Sequence, residues 1–237
     1  MGALLIIYYF LLHSGAGSVI ICNMRIKSNL DEILYDRIIE SLISGDYVMG
    51  ENLTLDELAR RFGVSRTPVV QAVKLLVNDG ILISMSNGRL YVPEYSLDTV
   101  REMCEVRRLM EGYALDEFMA GRGRAADGVI RALDGYAEQC RRLAGETRYV
   151  EFATADRKFH RTLVEASGNG VLLETYNRVQ ARFLVANYLI RPPRTRNLPG
   201  TVAGHDAILG AIRSGDAAAA AASLREHIVG VLKTLSM

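Results

Sequence analysis

Between Asn29 and Ser44 apolar side chains recur at Leu30, Ile33, Leu34, Ile38, Leu42 and Ile43. That spacing predicts a helix with one buried face, and Gly45 ends it. A second helix is predicted after Thr54, where Leu55, Leu58 and Ala59 form the apolar face and Gly63 stops the run. Thr54 with Glu57 three residues on is a capping-box pattern. Ser65 is placed to cap a third helix that carries Pro68 in its first turn and reaches about Asn78, with Gly80 closing it. Stretches rich in β-forming residues then flank Ser86-Asn87-Gly88, and Asn-Gly between such stretches signals a hairpin. Helix, helix, turn, helix, hairpin is the order of a winged helix-turn-helix.

From Ser96 onward the pattern is helical. It predicts helices near 97–120, 127–144, 148–167, 170–190, 202–214 and 217–235, with breaks at Gly121-Arg122-Gly123, Gly168-Asn169-Gly170, Arg191-Pro192-Pro193 to Gly200, and Gly215. The fold class is therefore mainly α: a winged helix-turn-helix N-terminal domain over 24–95, and an all-α antiparallel helical bundle over 96–237. The alanine run Ala217–Ala222 is read as a helix surface that packs closely against a neighbour.

Residues 1–23 do not fit either domain. Met1 to Leu12 is apolar, no charge precedes Arg25, and the run breaks after twelve residues. A membrane span needs about 20 apolar residues, and a secretory signal needs a basic start. We expect this leader to lie outside the fold, read from a start codon placed too far upstream of Met24. An anchor or signal is the alternative.

Composition adds two constraints. Hydrophobic residues make up 49% and charged residues 23% of the chain, which allows packed cores and argues against disorder. Cys22, Cys104 and Cys140 are odd in number and lack a CxxC pair, which argues against a disulfide framework and fits a reducing cytoplasm. The net charge of +1 hides an asymmetry. Asp31–Glu57 holds eight acids and one base, whereas Arg60–Tyr91 holds five bases and one acid. The basic segment carries the second and third helices and the wing, as a face against phosphates requires.

Leu58-Ala59-Arg60-Arg61-Phe62-Gly63-Val64-Ser65-Arg66-Thr67-Pro68-Val69, followed by Asp79-Gly80-Ile81-Leu82, resembles the helix-turn-helix of GntR-type bacterial regulators. The resemblance spans about 30–95. It implies that Arg66 and Thr67 touch DNA from the recognition helix, that Arg60 or Arg61 meets phosphate, and that Gly88 turns the wing tip. Ser65, Gln71, Lys74 and Arg89 complete the candidate DNA-contacting set. The family usually has Arg-Glu after Pro-Val, and Val70-Gln71 stands there instead. An arginine that helps read the operator is thus replaced by an apolar side chain.

Three of the four histidines fall in the helical half. Asp156 and His160 are four residues apart and share a helix face, while His205 and His227 sit on two later predicted helices. One carboxylate and three imidazoles suit Zn²⁺ or a similar ion. Spacing alone leaves open an Asp–His surface pair with two unrelated histidines.

Residues 96–237 resemble the helical FCD domain of FadR-like GntR regulators. Glu105-Val106-Arg107, the stretch Asp156 to Leu163, and His205 to Asp216 leading to His227-Ile228 carry the likeness. It implies a metal facing an effector pocket, held by Asp156, His160, His205 and His227: Zn first, Mn or Ni as alternatives. The family often has Glu before the third ligand, where this chain has Gly204. The resemblance also implies that Arg107 pairs with an effector carboxylate, with Asn187 and Tyr188 as further pocket residues. An ordinary helix-surface salt bridge is the alternative reading of Arg107.

The function expected is a cytoplasmic, homodimeric regulator that binds a double-stranded DNA operator and responds to a small organic acid. It is not expected to be an enzyme, because no GxSxG-type nucleophile motif and no obviously spaced general base is present. A metal-dependent hydrolase and a membrane-tethered interaction module, the latter resting on residues 1–23, are the alternatives.

Overall fold

The computed structural model describes residues 16–86, 88–121, 123, 126–191 and 193–235, with side chains at 16–29, 194 and 233–235 left aside. Most of the apolar leader, Asn87 of the predicted hairpin turn and Arg122 lie outside the described residues.

Helix α1 (Ala16–Ser44) begins well before the predicted Asn29, so the end of the leader runs into it. No proline interrupts 16–29, and the apolar run there gives the helix nothing to stop at. Leu34, Ile38, Leu42 and Ile43 are buried as expected, but Ile33 is exposed and Ile39 is buried in its place. Strand β1 (Asn52–Leu53) leads into α2 (Leu55–Phe62) and α3 (Arg66–Asn78).

The capping box at Thr54 forms. The Glu57 amide donates to Thr54 Oγ1, and the Thr54 amide donates to the Glu57 carboxylate at 2.8 Å. Gly63 ends α2 at φ +67°, a left-handed conformation that favours glycine. Ser65 occupies the N-cap of α3, but its side chain makes no capping hydrogen bond, so that part of the expectation fails.

Strands β2 (Ile83–Ser84) and β3 (Leu90–Tyr91) form the wing, and β1 joins them antiparallel in the order β1-β3-β2. Leu53 faces Leu90, and Ser84 faces Leu90 from the other side. Gly88 sits at φ +78° near the wing tip.

The second half is built from α4 (Leu97–Met119), α5 (Ala126–Gly145), α6 (Tyr149–Ala166), α7 (Gly170–Ile190), α8 (Leu198–Ser214) and α9 (Ala217–Leu235). Helix α8 starts earlier than the predicted 202. Pro199 is tolerated in the first turn, where its missing N–H costs nothing, and Asn197 Oδ1 accepts from the Gly200 amide at 3.0 Å. Within the alanine run only Ala220 is fully buried, while Ala217, Ala218 and Ala222 are exposed. The run therefore packs along one edge and not over its whole surface.

The two halves touch through α1. Helix α1 packs on α7 and, less extensively, on α6. The Tyr35 hydroxyl donates to Asp79 Oδ2 at 2.7 Å, and Arg157 of α6 donates to Asp36 of α1 at 3.2 Å. Tyr95, between the wing and α4, donates to the Gly80 carbonyl at 3.1 Å.

Candidate metal centre and effector cavity

Helix periodicity places Arg107 and Glu111 one turn apart on α4, both directed inward. Glu111 is fully buried. Its Oε1 accepts from Arg107 Nε at 2.9 Å and from the Tyr176 hydroxyl of α7 at 2.8 Å, and its Oε2 accepts from His160 Nδ1 of α6 at 2.7 Å. Burial opposes ionisation, but the Arg107 charge and the His160 ring outweigh it and hold the Glu111 carboxyl down to about 2. Tyr176 is pushed well above its ordinary value by burial and then by the Glu111 charge, so its hydroxyl stays a donor.

An ionised Glu111 fixes the His160 tautomer with its proton on Nδ1, leaving Nε2 with a lone pair. That Nε2 lies 3.0 Å from His227 Nε2 and 3.8 Å from Asp156 Oδ1. His205 Nε2 lies 3.1 Å from Asp156 Oδ1, without the alignment of a hydrogen bond. One donor atom from each of Asp156, His160, His205 and His227 falls within 4.8 Å of the others. The four side chains come from three helices, α6, α8 and α9.

This donor set fits a divalent ion. Asp156 Oδ1 and both ring nitrogens of His205 are buried without a hydrogen-bond partner among the described residues. Native interiors rarely leave such atoms unpaired. Burial pushes His227 well below the ordinary imidazole value and lowers His205, so both rings are neutral and able to offer a lone pair. Metal bonds of about 2.0–2.2 Å bring ligand atoms to roughly 3–4 Å from one another, close to the separations seen.

Supporting packing comes from Phe159, fully buried, whose ring stacks on His205 with centroids 4.1 Å apart. Gly204 lies against His227: a Cβ there would come 2.2 Å from His227 Nδ1. With the His227 ring in this position, only a glycine fits at 204 without displacing it.

The cluster opens onto a cavity of about 450 Å³, a volume suited to a small organic ligand. Arg107, Asn187 and Tyr188 line it as expected. Arg107 is buried, and its guanidinium carbon stands 4.3 Å from the centroid of the Phe183 ring. The helix-surface alternative is therefore corrected: the salt bridge with Glu111 exists, inside the protein. Sequence reasoning missed Glu111 and Tyr176, which carry no signal apart from lying one helical turn from Arg107 and on the facing helix. It also missed Arg196.

In the first half, Arg60, Arg61, Ser65, Arg66, Thr67, Gln71, Lys74, Gly88 and Arg89 are all exposed. Arg66 Nη1 is 3.7 Å from Asp56. Arg61 is paired with Asp46 and lies over the Tyr47 ring at 5.0 Å, which draws it toward the α1–β1 connection. Among the described residues no helix is long and apolar enough to cross a membrane.

Comparison with known proteins gives two family matches: "FCD domain" over residues 102–230 and "Bacterial regulatory proteins, gntR family" over residues 30–92. The Nta operon transcriptional regulator of Aminobacter aminovorans is 30% identical over 148 residues, 62% of this chain and 68% of that protein. The HTH-type transcriptional regulator YdhC of Bacillus subtilis is 26% identical over 136 residues, 57% of this chain and 59% of that protein. The structure of E. coli McbR/YncC superposes with a TM-score of 0.73 at 20% identity, covering 87% of this chain and 97% of the other, a likeness of fold. These are families and names of regulators, not of enzymes, which sets aside the hydrolase alternative.

Glu111→Ala removes the acceptor of three buried donors and leaves the Arg107 charge uncompensated. It is expected to cost about 3–5 kcal/mol of stability in denaturant unfolding. A loss under about 1 kcal/mol would show that the network contributes no more than a surface pair.

Proposed function

The chain belongs to the FCD-containing regulators of the gntR family, DNA-binding transcription regulators, and from that premise we propose that it senses a small carboxylate metabolite at a divalent metal held by Asp156, His160, His205 and His227. Zn²⁺ is the first choice for one carboxylate and three imidazoles, with Mn²⁺ or Ni²⁺ as alternatives. The observation that carries the reading is the set of buried, unpaired donor atoms on Asp156 and His205 beside the close His160–His227 pair. When bound, such an ion supplies a Lewis-acid centre for a carboxylate oxygen. Arg107, with Nε held by Glu111, presents a guanidinium fixed before any ligand arrives, and Asn187 lines the same cavity.

On the DNA side, residues 24–95 form the reading head and 96–237 the sensing unit. Arg66, Thr67 and Gln71 sit in the first turns of α3, where a recognition helix meets base edges. Ser65, with no capping bond, keeps its hydroxyl for phosphate. Arg60, Lys74 and Arg89 supply charge along the exposed face, with Arg61 at its edge and Gly88 shaping the wing tip. A homodimer is supported by Val106, Leu109 and Tyr113, exposed at 41%, 64% and 49% along one face of α4. Such a protein works in the cytoplasm, and the buried free thiols of Cys104 and Cys140 suit that compartment.

Arg66→Ala is expected to weaken retardation of a selected genomic DNA fragment by about 1–3 kcal/mol, roughly 5- to 150-fold, with helical content unchanged. Equal retardation of variant and wild type would remove α3 from the recognition role. Combined His205→Ala and His227→Ala is expected to lose stoichiometric metal in elemental analysis after dialysis. Full retention would place the ligands elsewhere.

A further inference from the structure

The cavity lined by Asp156, His160 and His227 of the candidate metal cluster is also lined by Arg196, from the connection between α7 and α8. Its guanidinium carbon lies 3.5 Å from the centroid of the Tyr188 ring, and Nη2 donates to the Asn187 carbonyl at 2.6 Å. Its Nε is buried without a hydrogen-bond partner. Arg196 makes no ion pair among the described residues, in contrast to Arg107, whose charge Glu111 meets at 2.9 Å. Of the acids on the cavity wall, Asp156 belongs to the metal cluster and Glu226 is exposed. Arg191 adds a second cation to the same wall.

A guanidinium keeps its proton in proteins, so burial cannot be relieved by neutralisation. Burial lowers the Arg196 pKa and the Arg191 charge adds to this, while Tyr188 and Asp156 oppose it. The Tyr188 ring and the Asn187 carbonyl hold the guanidinium in place and leave Nε as an unmet donor, and an unmet buried donor is costly. A carboxylate is the group that fits a fixed guanidinium edge.

We infer that the effector is a small diacid, with one carboxylate at the metal-ligating cluster and Arg107 and the second paired with Arg196. This rests on the reading of the cavity as a metal-assisted carboxylate site, and adds that the ligand carries a second negative charge. Arg196 is then a specificity-determining residue: it rejects monoacids of similar shape, because they leave its donor unpaired.

The test is calorimetric titration of the Zn²⁺-loaded full chain with matched pairs, butyrate against succinate and lactate against malate. Each diacid is expected to bind at least about tenfold tighter than its partner. Arg196→Gln should bring diacids to the monoacid level and leave monoacids within about twofold, with Arg196→Lys in between. Thermal unfolding checks that the variants fold. Equal affinities within pairs in the wild type would overturn the inference, as would an Arg196→Gln loss shared equally by monoacids and diacids. Diacid preference that survives in the His205→Ala, His227→Ala variant would sink the metal reading and leave Arg196 in its role. Binding of none of the four acids would overturn both.

Discussion

A carboxylate sealed inside a protein must find donors on every side, and Glu111 finds them on three helices. Arg107 comes from its own helix α4, His160 from α6 and Tyr176 from α7. The arrangement sets the helices in register and determines which nitrogen of His160 bears the proton. That choice turns the His160 lone pair toward His205, His227 and Asp156. The geometry of the candidate metal cluster, the position of Arg107 on the cavity wall and the contacts of α4 with α6 and α7 around Glu111 are tied to one buried charge.

Helix α6 connects this centre to the reading head. Asp156 and His160 face the cluster, while Arg157, the next residue after Asp156, reaches Asp36 on α1. Helix α1 in turn is joined to the end of α3 through Tyr35 and Asp79, and Arg178 of α7 stands 3.8 Å from the same Asp79. The helices that line the cavity therefore also carry the contacts to α1 and to the end of α3. Were a cavity ligand to bind one arrangement of them better than another, it would change how the head is presented.

Much of this was legible in the sequence. Apolar spacing, the Thr54–Glu57 box and the glycine stops gave the other helices to within a few residues, because those signals are local, but not the start of α1 at Ala16. Asp156 and His160 were readable as a pair from their four-residue spacing. Their union with His205 and His227 needed the family resemblance, since nothing in one sequence says which distant helices meet. Glu111 was illegible for a different reason: an acid one turn from an arginine is common on exposed helices, and only burial makes it structural. Strand β1 is two residues long, too short for alternation to register. Arg196 sits in a Pro- and Arg-rich connection that reads as a surface loop, and only the fold turns it inward.

The most direct test of the account is anomalous diffraction, at the absorption edge of the loaded metal, from crystals of the zinc-loaded protein. One strong peak is expected at bonding distance from a carboxylate oxygen of Asp156 and from ring nitrogens of His160, His205 and His227, with Glu111 still against His160 Nδ1. A metal-loaded crystal with no peak between α6, α8 and α9, or with its peak on other side chains, would contradict it.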